Sequence, residues 1–403
     1  MPPSPQWPPI SYETLPWERN PEDLALIPKS RRRKIDSTYE ATVPLAIAER
    51  SVSLPAELES RLAEILVSLA RFDAQQSARG YDLPALLLRS ESSASSQIEN
   101  LTSSVRNVAL AELSESAPHN AQLIAGNVAA MRAALALPDT LSVPGILEVH
   151  RTLINRDGIT FGGSLRTEQV WVGGTAYSPH GALYVPPAPE RVTSCLEDLL
   201  TFSQREDINP ITKAALVHAQ FETIHPFIDG NGRTGRVLLA KVLRSEDVLS
   251  RSTLPISAEL LHNSDAYMAA LTSYQEGDPV AMVEQLADAL ELAVVIAQLV
   301  ARQVDNLLES WEERLNERQG SSIHRLANAL VEQPVVDSAY LAKRLDITRR
   351  AATDLLSRAC SYGILRPMGN RQRGEFYQAD ELIAILEDVS SMPGIRRILS
   401  GRA

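Results

Sequence analysis

The chain has 403 residues, 44% of them hydrophobic, and a formal net charge of -11 at pH 7. This is enough apolar material for a sizeable core and for more than one domain. The acidic balance argues against a whole-protein electrostatic grip on nucleic acid or an anionic membrane, so any such contact must come from a local basic patch.

Residues 1–38 read as a Pro-rich N-terminal arm whose basic cluster, Arg31, Arg32, Arg33 and Lys34, forms a solvated surface. Its prolines and carboxylates stand where a signal peptide needs a basic start and an apolar run, and no later stretch reads as an uncharged membrane span. Cys195 and Cys360 lie far apart without metal-ligand spacing, as expected of reduced thiols. The expected location is therefore cytoplasmic, with no membrane partner. Residues 39–115 form an N-terminal helical region, since apolar residues recur at helical spacing from Leu54 through "LPALLLRSESSASSQIENLTSS".

Residues 116–319 form a helical core with its linking helix. One segment from Gly162 breaks the pattern: "QVWV" and "ALYV" have β-rich composition and are separated by Gly, Pro and Ser. They predict a two-stranded hairpin ended by Pro186 and Pro187. Helical periodicity returns at Glu190 and runs, past one interruption at 225–232, to a polar break at Gly320, Ser321 and Ser322. Residues 320–403 then give helix, turn, helix and two β-rich pieces around a Gly-Asn-Arg-Gln-Arg-Gly tip, the order of a winged helix-turn-helix domain. The expected fold class is all-α with one small hairpin.

The interruption, "TIHPFIDGNGRTGR", concentrates the chemistry. Pro226 stops the preceding helix, and Gly230, Gly232 and Gly235 let backbone N–H groups turn inward as an anion-binding nest at the start of the next helix. Asp229 is a hard oxygen ligand suited to Mg2+ bridging phosphates, Asn231 can donate to a phosphate oxygen, and Arg233 and Arg236 can pair with the rest of a polyphosphate. His225 remains as a base that can take a proton from an attacking hydroxyl.

These residues resemble the signature of the Fic family, HxFx(D/E)GNGRxxR, which is matched at His225, Phe227, Asp229, Gly230, Asn231, Gly232, Arg233 and Arg236. The resemblance implies a Fic-type helical domain with a β-hairpin flap. It also implies transfer of AMP from ATP to a Ser, Thr or Tyr hydroxyl of a target protein, with release of pyrophosphate. Gly232 stands where the Doc branch holds lysine, and Arg236 is present, which favours nucleotidyl over phosphoryl transfer. The resemblance makes residues 170–187 the flap along which an unknown target docks, and places part of the helix bearing Tyr267 beside the nucleoside.

"SSQIEN" follows the family's inhibitory pattern (S/T)xxxE(G/N) through Ser95, Glu99 and Asn100. A glutamate presented there could occupy Arg236 and hold ATP in an unproductive pose. The same carboxylate could instead activate water to remove AMP, making the chain bifunctional or predominantly de-AMPylating. A reading from another class is a DNA-binding regulator with a nucleotide-sensing Fic domain. Lys343, Arg344, Arg349, Arg350, Arg358, Arg371 and Arg373 would then contact phosphates, or the same domain would contact protein. A second copy of the chain is a further candidate partner. His150, His180, His218 and His324 are not grouped as metal ligands and read as structural or surface residues.

Overall fold

The structure, a computed structural model, describes residues 7–17, 35–76, 79–154, 161–318, 320–369 and 376–400. The basic cluster at 31–34 and the arginines 371 and 373 lie outside the described residues.

Helices α1 (Ala56–Gln76), α2 (Leu83–Ile98), α3 (Val105–Ala111), α4 (His119–Ala136) and α5 (Val143–Ile154) lead to an irregular segment. Then follow α6 (Pro189–Ser203), α7 (Pro210–Ile224), α8 (Asn231–Ser245), α9 (Ser257–His262), α10 (Ser264–Gln275) and α11 (Val280–Arg314). The C-terminal part holds α12 (Ser322–Glu332), α13 (Ser338–Leu345), α14 (Arg349–Ser361), α15 (Asp380–Ser390) and α16 (Met392–Ser400). The strands are short: β1 (Ser11–Pro16), β2 (Thr38–Val43), β3 (Val335–Val336), β4 (Arg366–Pro367) and β5 (Tyr377–Gln378). The fold is accordingly all-α with minor sheet.

α7 sits at the centre. Its sequence "PITKAALVHAQFETI" has no polar stripe, and nearly every residue is buried among α6, α8, α10 and α11, as expected of a helix apolar on all sides. Asn209 caps it, its Oδ1 accepting from Ile211 N at 2.9 Å, with Pro210 at the first helical position. α11 buries Met282, Leu286, Leu290, Ala293, Ala297, Val300, Val304, Leu307 and Trp311, a stripe at three- and four-residue steps. It runs from α7 and α10 to the C-terminal helix α15.

Two expectations give way. The N-terminal arm contributes to the fold: Trp7 is buried edge-on against Tyr274, 6.0 Å between centroids. β1 pairs antiparallel with β2 in the register Ser11↔Val43 to Pro16↔Thr38. Conversely, the hairpin expected at 170–187 shrinks to isolated bridges, Val172↔Tyr184 and Thr175↔Ser178. Gly173, Gly174 and Gly181 there adopt φ of 75°, 73° and 79°, turning the backbone out of the extended geometry a ladder needs. The segment is instead tied down by Thr42 on β2, whose N–H and hydroxyl both donate to the Val185 carbonyl.

The break near Gly320 does not free the C-terminal part. α12 and α15 pack on α2, α15 on α3 and α11, and β3 on α3. β3, β5 and β4 form a three-stranded sheet in that order.

Candidate active site

α7 ends at His225 because Pro226 excludes the α conformation before it; His225 turns left-handed, φ 50° and ψ 60°. A non-glycine residue in that region is strained, and such strain persists only where neighbours over-determine it. The neighbour is Arg166. Its Nε donates to the His225 carbonyl at 2.8 Å and its Nη2 to the Pro187 carbonyl at 2.5 Å, while its backbone N–H donates to the Pro226 carbonyl at 3.0 Å. One buried arginine thus joins the loop to the far limb of the 170–187 segment.

Phe227 is fully buried and stacks on His150 with centroids 3.6 Å apart. His150 Nδ1 accepts from Gly163 N and its Nε2 faces the Asp229 carbonyl, each at 2.9 Å. These partners require the neutral tautomer with the proton on Nε2. Burial supports it, pushing His150 down to about 4. His150 is therefore a structural organiser of the loop. Gly230, at φ 80°, completes the turn into α8.

Asn231 differs from its expected role. Its Oδ1 accepts from Phe227 N at 2.8 Å and its Nδ2 donates to the Phe227 carbonyl at 2.9 Å, so the amide closes the loop on itself instead of reaching a phosphate. Tyr267 also differs. It is 1% exposed, its hydroxyl meets His218 Nε2 at 2.7 Å, and its ring stacks on that histidine; it is a core residue with no face open to a nucleoside. Gly235 faces α7, where an added Cβ would overlap Glu222 Oε1, so its smallness serves helix packing.

The cationic side chains lie inside the nest. Arg233 is 4% exposed, and its Nε and Nη1 are buried without a hydrogen-bond partner among the described residues. Two charged donors in that state are costly unless an anion satisfies them. Asp229 keeps its side chain 63% exposed, 3.7 Å from Arg233 Nη2. Among the described residues no group of three or more His, Cys, Asp or Glu could hold a metal. A lone exposed carboxylate nevertheless fits Mg2+, which takes one or two carboxylates and completes its octahedron with phosphate and water.

His225 itself is driven down to about 4 by burial, with Arg166 acting in the same direction. The Glu222 backbone, Glu99 and Asp229 pull the other way without offsetting burial. At neutral pH the His225 ring is therefore uncharged.

Arg236 is occupied. Its Nε donates to Ser95 Oγ and its Nη2 to the Ser95 carbonyl, both at 2.8 Å, and Nη2 meets Glu99 Oε1 at 2.9 Å. Burial opposes the arginine's charge, but Glu99, Tyr267 and Glu222 outweigh it. Burial likewise favours neutral Glu99, and Arg236 overrides it, holding the carboxyl below its usual range. α2 stops where the pair forms, because Asn100 turns left-handed at φ 61°. Ser95 and Glu99 are thus both brought to Arg236, with Asn100 ending the helix beside them.

Three residues here had no local signal in sequence. Arg166 acts across about sixty positions, Glu222 sets its buried Oε1 against Gly235, and Glu91 accepts from Ser257 N at 2.8 Å and Oγ at 2.5 Å. Burial raises both carboxyls to about 7.

Comparison with known proteins matches residues 140–243 to the Fic/DOC family. Protein adenylyltransferase fic-1 of Caenorhabditis elegans is 30% identical over 181 residues, 44% of this chain and 33% of that protein. Protein adenylyltransferase Fic of Drosophila willistoni is 32% identical over 154 residues, 38% of this chain and 28% of that one. The chain spans a third or less of the length of these relatives. Among solved structures, a Fic family protein from Desulfovibrio desulfuricans G20 shares the fold at a TM-score of 0.53 and 21% identity, covering 81% of this chain and 97% of that one. Residues 140–243, the part that matches the Fic/DOC family, contain the whole loop from His225 to Arg236.

Proposed function

We propose that the chain is a protein adenylyltransferase that moves AMP from ATP to a side-chain hydroxyl of a target protein and is held in check by Glu99. The observation that carries the reading is Arg233, whose two buried, unpartnered donors at the start of α8 call for a polyphosphate. The relatives named as adenylyltransferases support the same chemistry.

In this reading the target hydroxyl lies along residues 170–187, next to the acceptor nitrogen of His225. As its oxygen bonds to the α-phosphorus, His225 takes the hydroxyl proton; the bond from the α-phosphorus to the bridging oxygen breaks and pyrophosphate leaves. Arg233 and the α8 N-terminus hold the phosphates in line, and Arg236 pairs with the terminal phosphate once Glu99 withdraws. Asp229 would hold Mg2+, which supplies charge neutralisation on the phosphates. Arg166 keeps His225 in its strained conformation and keeps the loop in step with the docking segment.

The helix order α12, α13, α14 and the β4–β5 pair beside β3 support reading residues 320–403 as a winged helix-turn-helix unit, with 39–115 and 116–319 as the regions before it.

Transfer from α-labelled ATP with magnesium tests the assignment. Glu99→Gly is expected to label protein at least tenfold faster than the unaltered chain, and adding His225→Ala is expected to cut that rate by roughly 10^2 or more. Equal labelling with and without His225 removes the base from the mechanism, and absence of label from Glu99→Gly removes the transferase reading for ATP.

A further inference from the structure

Glu99 occupies one end of α2, yet much of that helix is engaged elsewhere. Arg89, 2% exposed, donates from Nε at 2.6 Å and Nη2 at 3.1 Å to the carboxylate of Glu112. It also donates from Nη2 to Gln333 Oε1 at 2.6 Å and from Nη1 to the Glu332 carbonyl, both at the end of α12. Ser90 Oγ donates to the Val389 carbonyl at 3.2 Å and Gln97 Nε2 to the Ser390 carbonyl at 2.6 Å, at the end of α15.

The carbonyls of a helix's last turn have no partner within the helix and must find one outside it. Here the partners of α12 and α15 are side chains of α2. The charge of Arg89 also complements the negative end of the α12 dipole. α2 therefore cannot swing away from Arg236 without uncapping two C-terminal helices and stranding Arg89 beside their exposed ends. The coupling is local as well: Gln97 lies two residues from Glu99 and Ser90 one from Glu91.

We propose that residues 322–400 are a lock on the inhibitory helix: by using α2 as the cap of α12 and α15 they hold Glu99 on Arg236, and lifting this segment from α2 frees Arg236 for the nucleotide. The proposal rests on the reading of Glu99 as a brake. Nothing in it needs residues 322–400 to touch nucleotide or target.

The test uses full-length protein carrying Gln97→Ala with Ser90→Ala, or Arg89→Met, in which Glu112 keeps its 3.1 Å pair with Arg132. Two readouts are followed: amide hydrogen exchange over residues 83–98, and label transfer from α-labelled ATP. The lock predicts faster exchange in α2, labelling raised roughly tenfold toward that of Glu99→Gly, and no further rise when the same changes are added to Glu99→Gly. Unchanged exchange in α2 overturns it, as does faster exchange with labelling still at the level of the unaltered chain while Glu99→Gly labels strongly. If Glu99→Gly itself transfers no label, the transferase reading fails, and capping of α2 stands or falls on exchange alone. Should Arg89→Met not fold, the milder Gln97→Ala with Ser90→Ala, which removes no charge, decides the matter.

Discussion

Gly232 shows how much one absent methyl group can decide. A Cβ there would overlap Glu99 Oε1 and stand 3.0 Å from Arg236 Nη1. The glycine is what admits the Glu99 carboxylate to the nest. Gly232→Ala is therefore expected to expel Glu99 with every charge retained, raising self-labelling from α-labelled ATP severalfold above the unaltered chain. Labelling that stays at the unaltered level, with Glu99 still seated in a crystal structure of the variant, would show that the fit tolerates the methyl. The glycines, His225 and the two arginines were legible in sequence because a loop and one helical turn fix their spacing. The direction of Asn231 was not, since its amide partners are backbone atoms of the loop it belongs to. Tyr267 misled for a related reason: helical spacing places a side chain on a face, but only the neighbouring α7, which supplies His218, decides that the face is core.

At the scale of elements, the site is three pieces held by long-range polar contacts: the α7–α8 loop, the 170–187 segment and the end of α2. Arg166 joins the first two through the carbonyls of His225 and Pro187. Its removal strands buried acceptors, each worth roughly 1–3 kcal/mol. Arg166→Ala in the Glu99→Gly background is expected to lower transfer at least tenfold and to depress the unfolding temperature; full activity at a lowered unfolding temperature would restrict Arg166 to a structural part. Composition pointed to the 170–187 segment as β-rich, and the region does pair Val172 with Tyr184. It could not reveal that glycines at positive φ would confine the pairing to isolated bridges. Nor could it pair Ser11–Pro16 with Thr38–Val43, because a strand's partner is chosen by register and burial, which short polar stretches specify weakly.

The whole molecule packs its helices around α7 and leaves buried ionisable groups beside the site. Glu222, raised to about 7 by burial with Glu99 adding to the effect, is neutral in the fold at low pH and must ionise as pH rises. A folded-state value above the unfolded one gives stability that is complete below about 4.5 and lost as pH climbs through about 7. Glu222→Gln is expected to leave the unfolding free energy at about pH 4 unchanged and to raise it on the order of 2 kcal/mol at about pH 8. Equal effects at both values would show that Glu222 does not titrate in this window. The all-α class and the polar break at Gly320 could be read from periodicity and composition. The seating of α12 and α15 on α2 could not, because it depends on Arg89, Ser90 and Gln97 meeting carbonyls 243, 299 and 293 positions away.

The proposed transfer requires the nest to orient ATP so that the α-phosphorus, not the γ-phosphorus, meets the hydroxyl. Glu99→Gly protein incubated in parallel with α-labelled and γ-labelled ATP tests it most directly. Label is expected on protein from the α-labelled nucleotide only, with the γ label recovered as pyrophosphate. Protein labelled from the γ position would mean that the nucleotide sits reversed and that the chain transfers phosphate.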